Sequence, residues 1–200
     1  MKTLKSLLLS VALILAGSAF APAAQADFVA LDEQALSQVA FELSLHNLGT
    51  FDLINWKVGD TMDYAVSLGG MSLGNSKKSV FKDEGTAIWL RQEVKMMSQN
   101  ETIDALINKA DGKVLKMIRN GQEQEIPNDK LEIISQDATT ITVKAGTFQT
   151  IHIVAKTQQV SRLEVWANPR DTAIDGTVKQ LVQSQFGMIG MELTAFRRQP

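Results

Sequence analysis

Thr61-Met62-Asp63-Tyr64-Ala65-Val66-Ser67-Leu68 places Met62, Tyr64, Val66 and Leu68 on one side of an extended chain and Thr61, Asp63, Ala65 and Ser67 on the other. Successive side chains of a strand point to opposite faces, so this stretch reads as a half-buried strand. Downstream, runs of strand character recur at short intervals: Ser79 to Lys82, Thr86 to Met96, Glu101 to Asn108, Lys113 to Arg119, Thr139 to Lys144, Phe148 to Ala155, Arg162 to Trp166, Val178 to Gln185 and Met188 to Phe196. That regular spacing predicts an antiparallel meander. Asp111-Gly112 and Asn120-Gly121 are the dipeptides that accept the positive φ of a two-residue hairpin turn. Glycines 69, 70 and 74 read as a bend or bulge in a curling strand, since no Lys-Ser/Thr follows to make a phosphate cradle. Residues 127–136 fit either a short helix or a strand.

Upstream the period changes. Leu31, Leu36, Val39, Leu43 and Leu48 recur at helical spacing, with Asp32 as N-cap and Gly49 as stop. The polar face carries Glu33, Gln34, Gln38 and Glu42 and no basic residue, which suits a helix covering a sheet better than one lying on a membrane. A many-stranded sheet with one apolar helix must curl to cover its inner face. The expected fold is therefore mainly β (α+β), a curled antiparallel half-barrel of about nine strands wrapped around one amphipathic helix.

The first 26 residues carry Lys2 and Lys5, an apolar run from Leu7 to Ala16, and a tail ending Ala24-Gln25-Ala26. This is the pattern of a secretory signal peptide cut after Ala26, and the apolar core is short for a membrane span. The expected organisation is a signal peptide (1–26), the helix and a connector (27–55), and a β half-barrel (56–200) forming one domain with the helix. The expected location is the periplasm, with no membrane segment left after cleavage. The chain has no cysteine, so neither lipidation at cysteine nor a disulfide is open to it. Cleavage leaves 18 basic against 22 acidic side chains, a formal charge of −4. No basic block exceeds Lys77-Lys78 or Arg197-Arg198, so nucleic acid is not an expected partner.

Recognisable chemistry is sparse. His46 and His152 are 106 positions apart and neither has ligand spacing, so no metal and no cofactor is expected. No Gly-x-Ser-x-Gly elbow occurs, and Asp60, Asp63, Asp83 and Glu84 fall at turns or strand edges where solvated carboxylates are common. The expectation is a protein that is not an enzyme. What remains are large apolar side chains, which build cores and also line apolar cavities.

Trp56-Lys57-Val58-Gly59-Asp60, leading into Tyr64-Ala65-Val66-Ser67-Leu68-Gly69-Gly70-Met71-Ser72-Leu73-Gly74, resembles the opening of a group of exported bacterial domains of unknown function, with the pattern Tyr-x-Val-Ser-x-Gly-Gly-x-x-x-Gly. Val143-Lys144-Ala145-Gly146-Thr147-Phe148 resembles that group's Ala-Gly-Thr-Phe hallmark, and Leu163-Glu164-Val165-Trp166 its following aromatic strand. Two positions depart from the pattern: Lys144 replaces a proline, and Ile174-Asp175-Gly176-Thr177-Val178 replaces a Pro-Val step. The resemblance spans roughly residues 56–196 and implies a fold similar to periplasmic lipoprotein carriers, half-barrels whose concave face holds acyl chains. It carries over no catalytic residue. Together these readings lead to a periplasmic protein binding an apolar ligand, a lipid or a lipoprotein acyl chain, with Leu43, Tyr64, Met71, Trp89, Met117, Phe148 and Trp166 as expected ligand contacts. The rival is a structural or interaction protein of the cell envelope that docks a partner protein through an exposed strand edge or through the C-terminal Arg197-Arg198 tail.

Overall fold

The computed structural model describes residues 56–96, 99–126, 131–157, 160–184 and 187–200. All of them belong to one compact unit of the chain. The expected signal peptide and the expected helix, with Leu43 and His46, lie outside the described residues.

Eleven strands follow one another: β1 (Thr61–Leu68), β2 (Met71–Asp83), β3 (Ala87–Met96), β4 (Gln99–Asn108), β5 (Val114–Arg119), β6 (Gln122–Gln124), β7 (Glu132–Val143), β8 (Gly146–Lys156), β9 (Leu163–Ala167), β10 (Thr177–Ser184) and β11 (Gly187–Arg197). They form one antiparallel sheet in the order β6-β5-β4-β3-β2-β1-β11-β10-β9-β8-β7. Only the β1–β11 pairing joins strands distant in sequence, so two meanders meet at the centre. The outermost strands, β6 and β7, do not pair with each other, and the sheet stays open.

Alternation decides the faces. Met62, Tyr64 and Val66 of β1 are buried, as are Ile88, Leu90, Val94 and Met96 of β3, Ile103, Ala105 and Ile107 of β4, and Met117 of β5. Directly opposed residues share a face. Tyr64 pairs with Leu193, Leu90 with Ala105 and Ala105 with Met117, so these side chains make one continuous core. A second cluster, Ala155, Val160, Leu163, Val165, Ala167 and Val182, continues it under β8–β10, with Ile189 packed against both.

The sheet curls. In a flat sheet β7 would lie roughly 19 Å from β11, four strands away at about 4.8 Å each. Yet at the turn between β7 and β8 the Ala145 N–H donates to the Leu193 carbonyl (3.2 Å), and Phe148 meets Phe196 edge-on at 6.1 Å. The buried face is therefore the concave one.

Several expectations change. The sheet has eleven strands where about nine were expected, and the short β6 after Asn120-Gly121 matches none of the expected runs; in addition β2 begins at Met71 instead of Ser79, and most of the ambiguous stretch 127–136 that is described lengthens β7. Gly69 and Gly70 form the connection between β1 and β2, while the irregularity in the β1–β2 pairing falls at Val66/Ser67. Asp111-Gly112 lies within a five-residue connection, 109–113, where the Gly112 N–H reaches back to the Asn108 carbonyl. Asp60, expected to be solvated, is buried: its carboxylate accepts from the Lys57 N–H (2.8 Å) and the Gln199 N–H (2.7 Å), tying the C-terminal tail to the entry of β1.

Candidate functional site

A polar cluster interrupts the apolar concave face. On β2 the inward positions are Ser76, Lys78 and Val80, and on β3 they are Ile88, Leu90, Gln92, Val94 and Met96. Lys78 stands directly opposite Gln92, so two polar side chains share the place where the pattern calls for apolar ones. Lys78 is 0% exposed. An ammonium taken from water at that depth must be paired, and Lys78 donates to Asp175 Oδ2, itself 2% exposed.

Asp175 comes from the connection between β9 and β10, residues 168–176, three strands away from β2 in the sheet order. Several bonds hold that connection. The Trp56 indole donates to the Ile174 carbonyl (2.7 Å), the Thr172 hydroxyl to the Asn168 carbonyl (2.6 Å), and the Thr177 N–H to Asp175 Oδ1 (3.0 Å). Ile174 is buried and has φ 48°, a sparsely populated conformation for a β-branched residue. Gly176 follows at φ 75°, and a Cβ there would meet the Pro169 nitrogen at 2.2 Å. The aspartate that neutralises Lys78 thus sits between two unusual backbone positions.

Tyr64 completes the cluster. Its hydroxyl donates to the Thr177 carbonyl (3.1 Å), and its ring lies 5.6 Å from Lys78 Nζ. Burial, and secondarily the Asp175 carboxylate, hold the phenol well above the ordinary tyrosine pKa. The register irregularity at Thr177/Lys179 turns both Thr177 and Val178 toward the core, and Gln180 follows on the same face, opposite Met191 and Val165.

Four polar atoms of this face have no partner. Gln92 donates through Nε2 to Ser76 Oγ (3.3 Å), but its Oε1 accepts nothing. The Thr177 hydroxyl is unpaired, and so are both amide atoms of Gln180, whose side chain belongs to a residue 1% exposed. Buried polar groups are paired in the large majority of cases, and each orphan costs about 1–3 kcal/mol. Here four such atoms, on three side chains, lie on one face.

Of the expected contacts, Tyr64 and Met117 lie on this concave face and Phe148 packs against its edge with Ile141 and Phe196. The others are elsewhere. Met71 is exposed at the β1–β2 hairpin. Trp89 points to the opposite face, where its indole donates to Glu84 Oε1 (2.9 Å) and its ring meets Phe81 at 6.0 Å. Trp166 also faces outward, stacked on His152 at 4.2 Å with Lys179 Nζ 5.9 Å from its ring. His152 bonds Glu164 (2.9 Å); partial burial disfavours the Glu164 carboxylate, but Arg162 and His152 outweigh it and hold the group below the ordinary glutamate pKa.

Lys78, Gln92, Asp175, Thr177 and Gln180 were missed. Gln92 was visible as a polar break in the alternation of Thr86 to Met96, but the phase of Lys78 needed the full length of β2, and Asp175 lies in a connection with no periodicity to read. Among the described residues, no three His, Cys, Asp or Glu side chains are placed to hold a metal ion, and no helix is long and apolar enough to cross a membrane.

No protein-family model matches the chain, and no curated protein matches it. Among solved structures, the hypothetical protein CT021 from Chlamydia trachomatis is similar at 10% identity and TM-score 0.47, over 74% of this chain and 91% of that one. MucB, solved in complex with MucA(peri), is similar at 12% identity and TM-score 0.41, over 77% of this chain and 54% of that one. These likenesses are loose ones of fold, and neither transfers a ligand or partner to this chain.

Proposed function

We propose that this is an exported, non-catalytic binding protein of the periplasm that carries an apolar ligand, a lipid or an acyl chain, on the concave face of its sheet. The observation that supports this reading is the pairing of an apolar lining with orphaned polar atoms at Gln92, Thr177 and Gln180. Met62, Met96, Met117 and Met191 contribute four flexible side chains to that lining, and methionine adapts to ligands of irregular shape. A face built only for stability would place apolar side chains where the two glutamines stand. Ligand entry requires the face to open, and two described segments lean over it: the β7–β8 turn, held to β11 through Ala145 and Leu193, and the 168–176 connection, held through Trp56 and Lys78.

The test is native mass spectrometry of protein purified from the periplasm, with organic extraction and lipid analysis. A stoichiometric lipid and a chain beginning at Asp27 are the expected result. A lipid-free mass, together with no uptake of fluorescent fatty acids by the purified protein, would sink the carrier reading.

The second reading, docking of an envelope protein, is favoured by β7. This twelve-residue edge strand is exposed over most of its length on both faces, and Ile133 and Ile134 are 54% and 56% exposed. An uncovered edge of that length is a template for an added strand of a partner chain. Ile134→Lys would abolish capture of such a partner while leaving the denaturation midpoint unchanged.

A further inference from the structure

The unpaired atoms of the concave face describe the polar end of the ligand, an inference that rests on the carrier reading. Three buried charged side chains occur among the described residues: Asp60, Lys78 and Asp175. Asp60 spends its oxygens on the backbone of Lys57 and Gln199, and the charges of Lys78 and Asp175 cancel in a direct pair. The buried charges that the described residues bring to this face therefore cancel, and the rest of its described lining is mostly apolar. The face still offers unpaired acceptors at Gln92 Oε1 and Gln180 Oε1, an unpaired donor at Gln180 Nε2, and a hydroxyl at Thr177 that can act as either.

From this inventory we infer that the ligand is a long-chain molecule with an uncharged head group carrying both a donor and an acceptor, a hydroxyl or an amide, recognised by Gln92, Thr177 and Gln180. The alternatives fit worse for definite reasons. An ionised fatty carboxylate has no donor to give the two glutamine carbonyls and brings a negative charge into a low-dielectric face whose cation is already neutralised, so a fatty acid would fit only after taking up a proton, at a cost that a hydroxyl or amide head does not meet. A long-chain ammonium satisfies the carbonyls but brings an unbalanced positive charge beside Lys78. A head with adjacent hydroxyls donates to the carbonyls, accepts from Gln180 Nε2, and adds no charge.

The experiment compares 1-monooleoylglycerol with oleate, binding to delipidated mature protein and to its Gln180→Leu and Gln92→Leu variants, by titration calorimetry. The two ligands share one acyl chain and differ in the head. Wild-type protein is expected to bind the monoglyceride at least tenfold tighter than oleate. Each variant is expected to lose about three- to tenfold for the monoglyceride, the equivalent of one neutral hydrogen bond, and to bind oleate unchanged. Gln180→Leu removes two orphaned atoms and breaks no bond, whereas Gln92→Leu also ends the Nε2 bond to the Ser76 hydroxyl, so urea denaturation of both variants accompanies the titrations. Oleate binding as tightly as the monoglyceride, or a variant weakening both alike, would overturn the neutral-head inference and leave the carrier reading standing. Binding of neither ligand would overturn both.

Discussion

Gln180 carries two unsatisfied polar atoms at a position 1% exposed, and this single side chain makes a sharp stability prediction. Gln180→Leu keeps the volume and removes the orphans, so urea denaturation should show a stability gain of about 1–3 kcal/mol with an unchanged m-value. Lys78 and Asp175 behave oppositely. Asp175→Ala strands a buried ammonium and should cost about 3–5 kcal/mol, whereas Lys78→Met combined with Asp175→Asn, which keeps an acceptor for the Thr177 N–H, should recover most of that loss, a comparison a double-mutant cycle measures directly. Tyr64 is the chain's one tyrosine, so tyrosinate absorbance reports on it alone. Its folded pKa is raised, and the unfolded chain sheds the phenolic proton first. The contribution is thus complete below the ordinary tyrosine pKa near 10 and is lost as pH rises above it. The phenol should titrate together with unfolding, and a reversible titration near pH 10 in the folded protein would contradict its burial. Tyr64 was legible from its place in the 61–68 alternation, whereas its partners were not, since no local pattern tells which distant connection will supply a carboxylate.

Among the elements, the two kinds of turn can be told apart by experiment. Asn120 and Gly121 join β5 to β6 with φ 50° and 82°, and a Cβ on Gly121 would meet nothing within 4 Å. Gly121→Ala therefore carries backbone strain alone, about 1–2 kcal/mol. Gly176→Ala adds to a similar φ a collision with the Pro169 and Asn168 backbone, which cannot yield without moving Asp175. It should destabilise clearly more than Gly121→Ala in the same denaturation experiment. The Asn120-Gly121 turn was readable because it is short-range chemistry. The 168–176 connection was noticed only as a departure from a pattern, since its conformation depends on Trp56, Lys78 and Tyr64, far away in sequence.

Taken whole, the sheet has a firm middle and two open ends. Strands β1, β2, β3, β10 and β11 are paired on both sides and bear the main core, while β6 and β7 have one neighbour each. Hydrogen exchange should accordingly be slowest in the amides of β1, β2 and β11 and fastest in β6 and the outer half of β7. Equal protection across all eleven strands would mean that the edges are covered in solution. Most of the meander was visible in advance because period-two patterning and turn residues act locally. The extent of β2 and β7 was hidden, since β2 carries Ser76 and Lys78 inward and β7 is exposed on both faces, so neither alternates in hydrophobicity as a half-buried strand does.

The amino-acid sequence by itself determined a mainly β, antiparallel chain and the phase of its best-patterned strands, because backbone pairing and one-sided burial leave a period that any reader can count. It also placed Tyr64 and Met117 at apolar positions of those strands. Tertiary structure alone decided that Trp89 and Trp166 turn outward while Lys78 turns inward, that Asp175 meets it from the β9–β10 connection, and that Gln92, Thr177 and Gln180 are left unpaired together. The reason is physical: an apolar period reports that a face is buried, but which polar groups find partners depends on how the sheet curls and which distant segment crosses it.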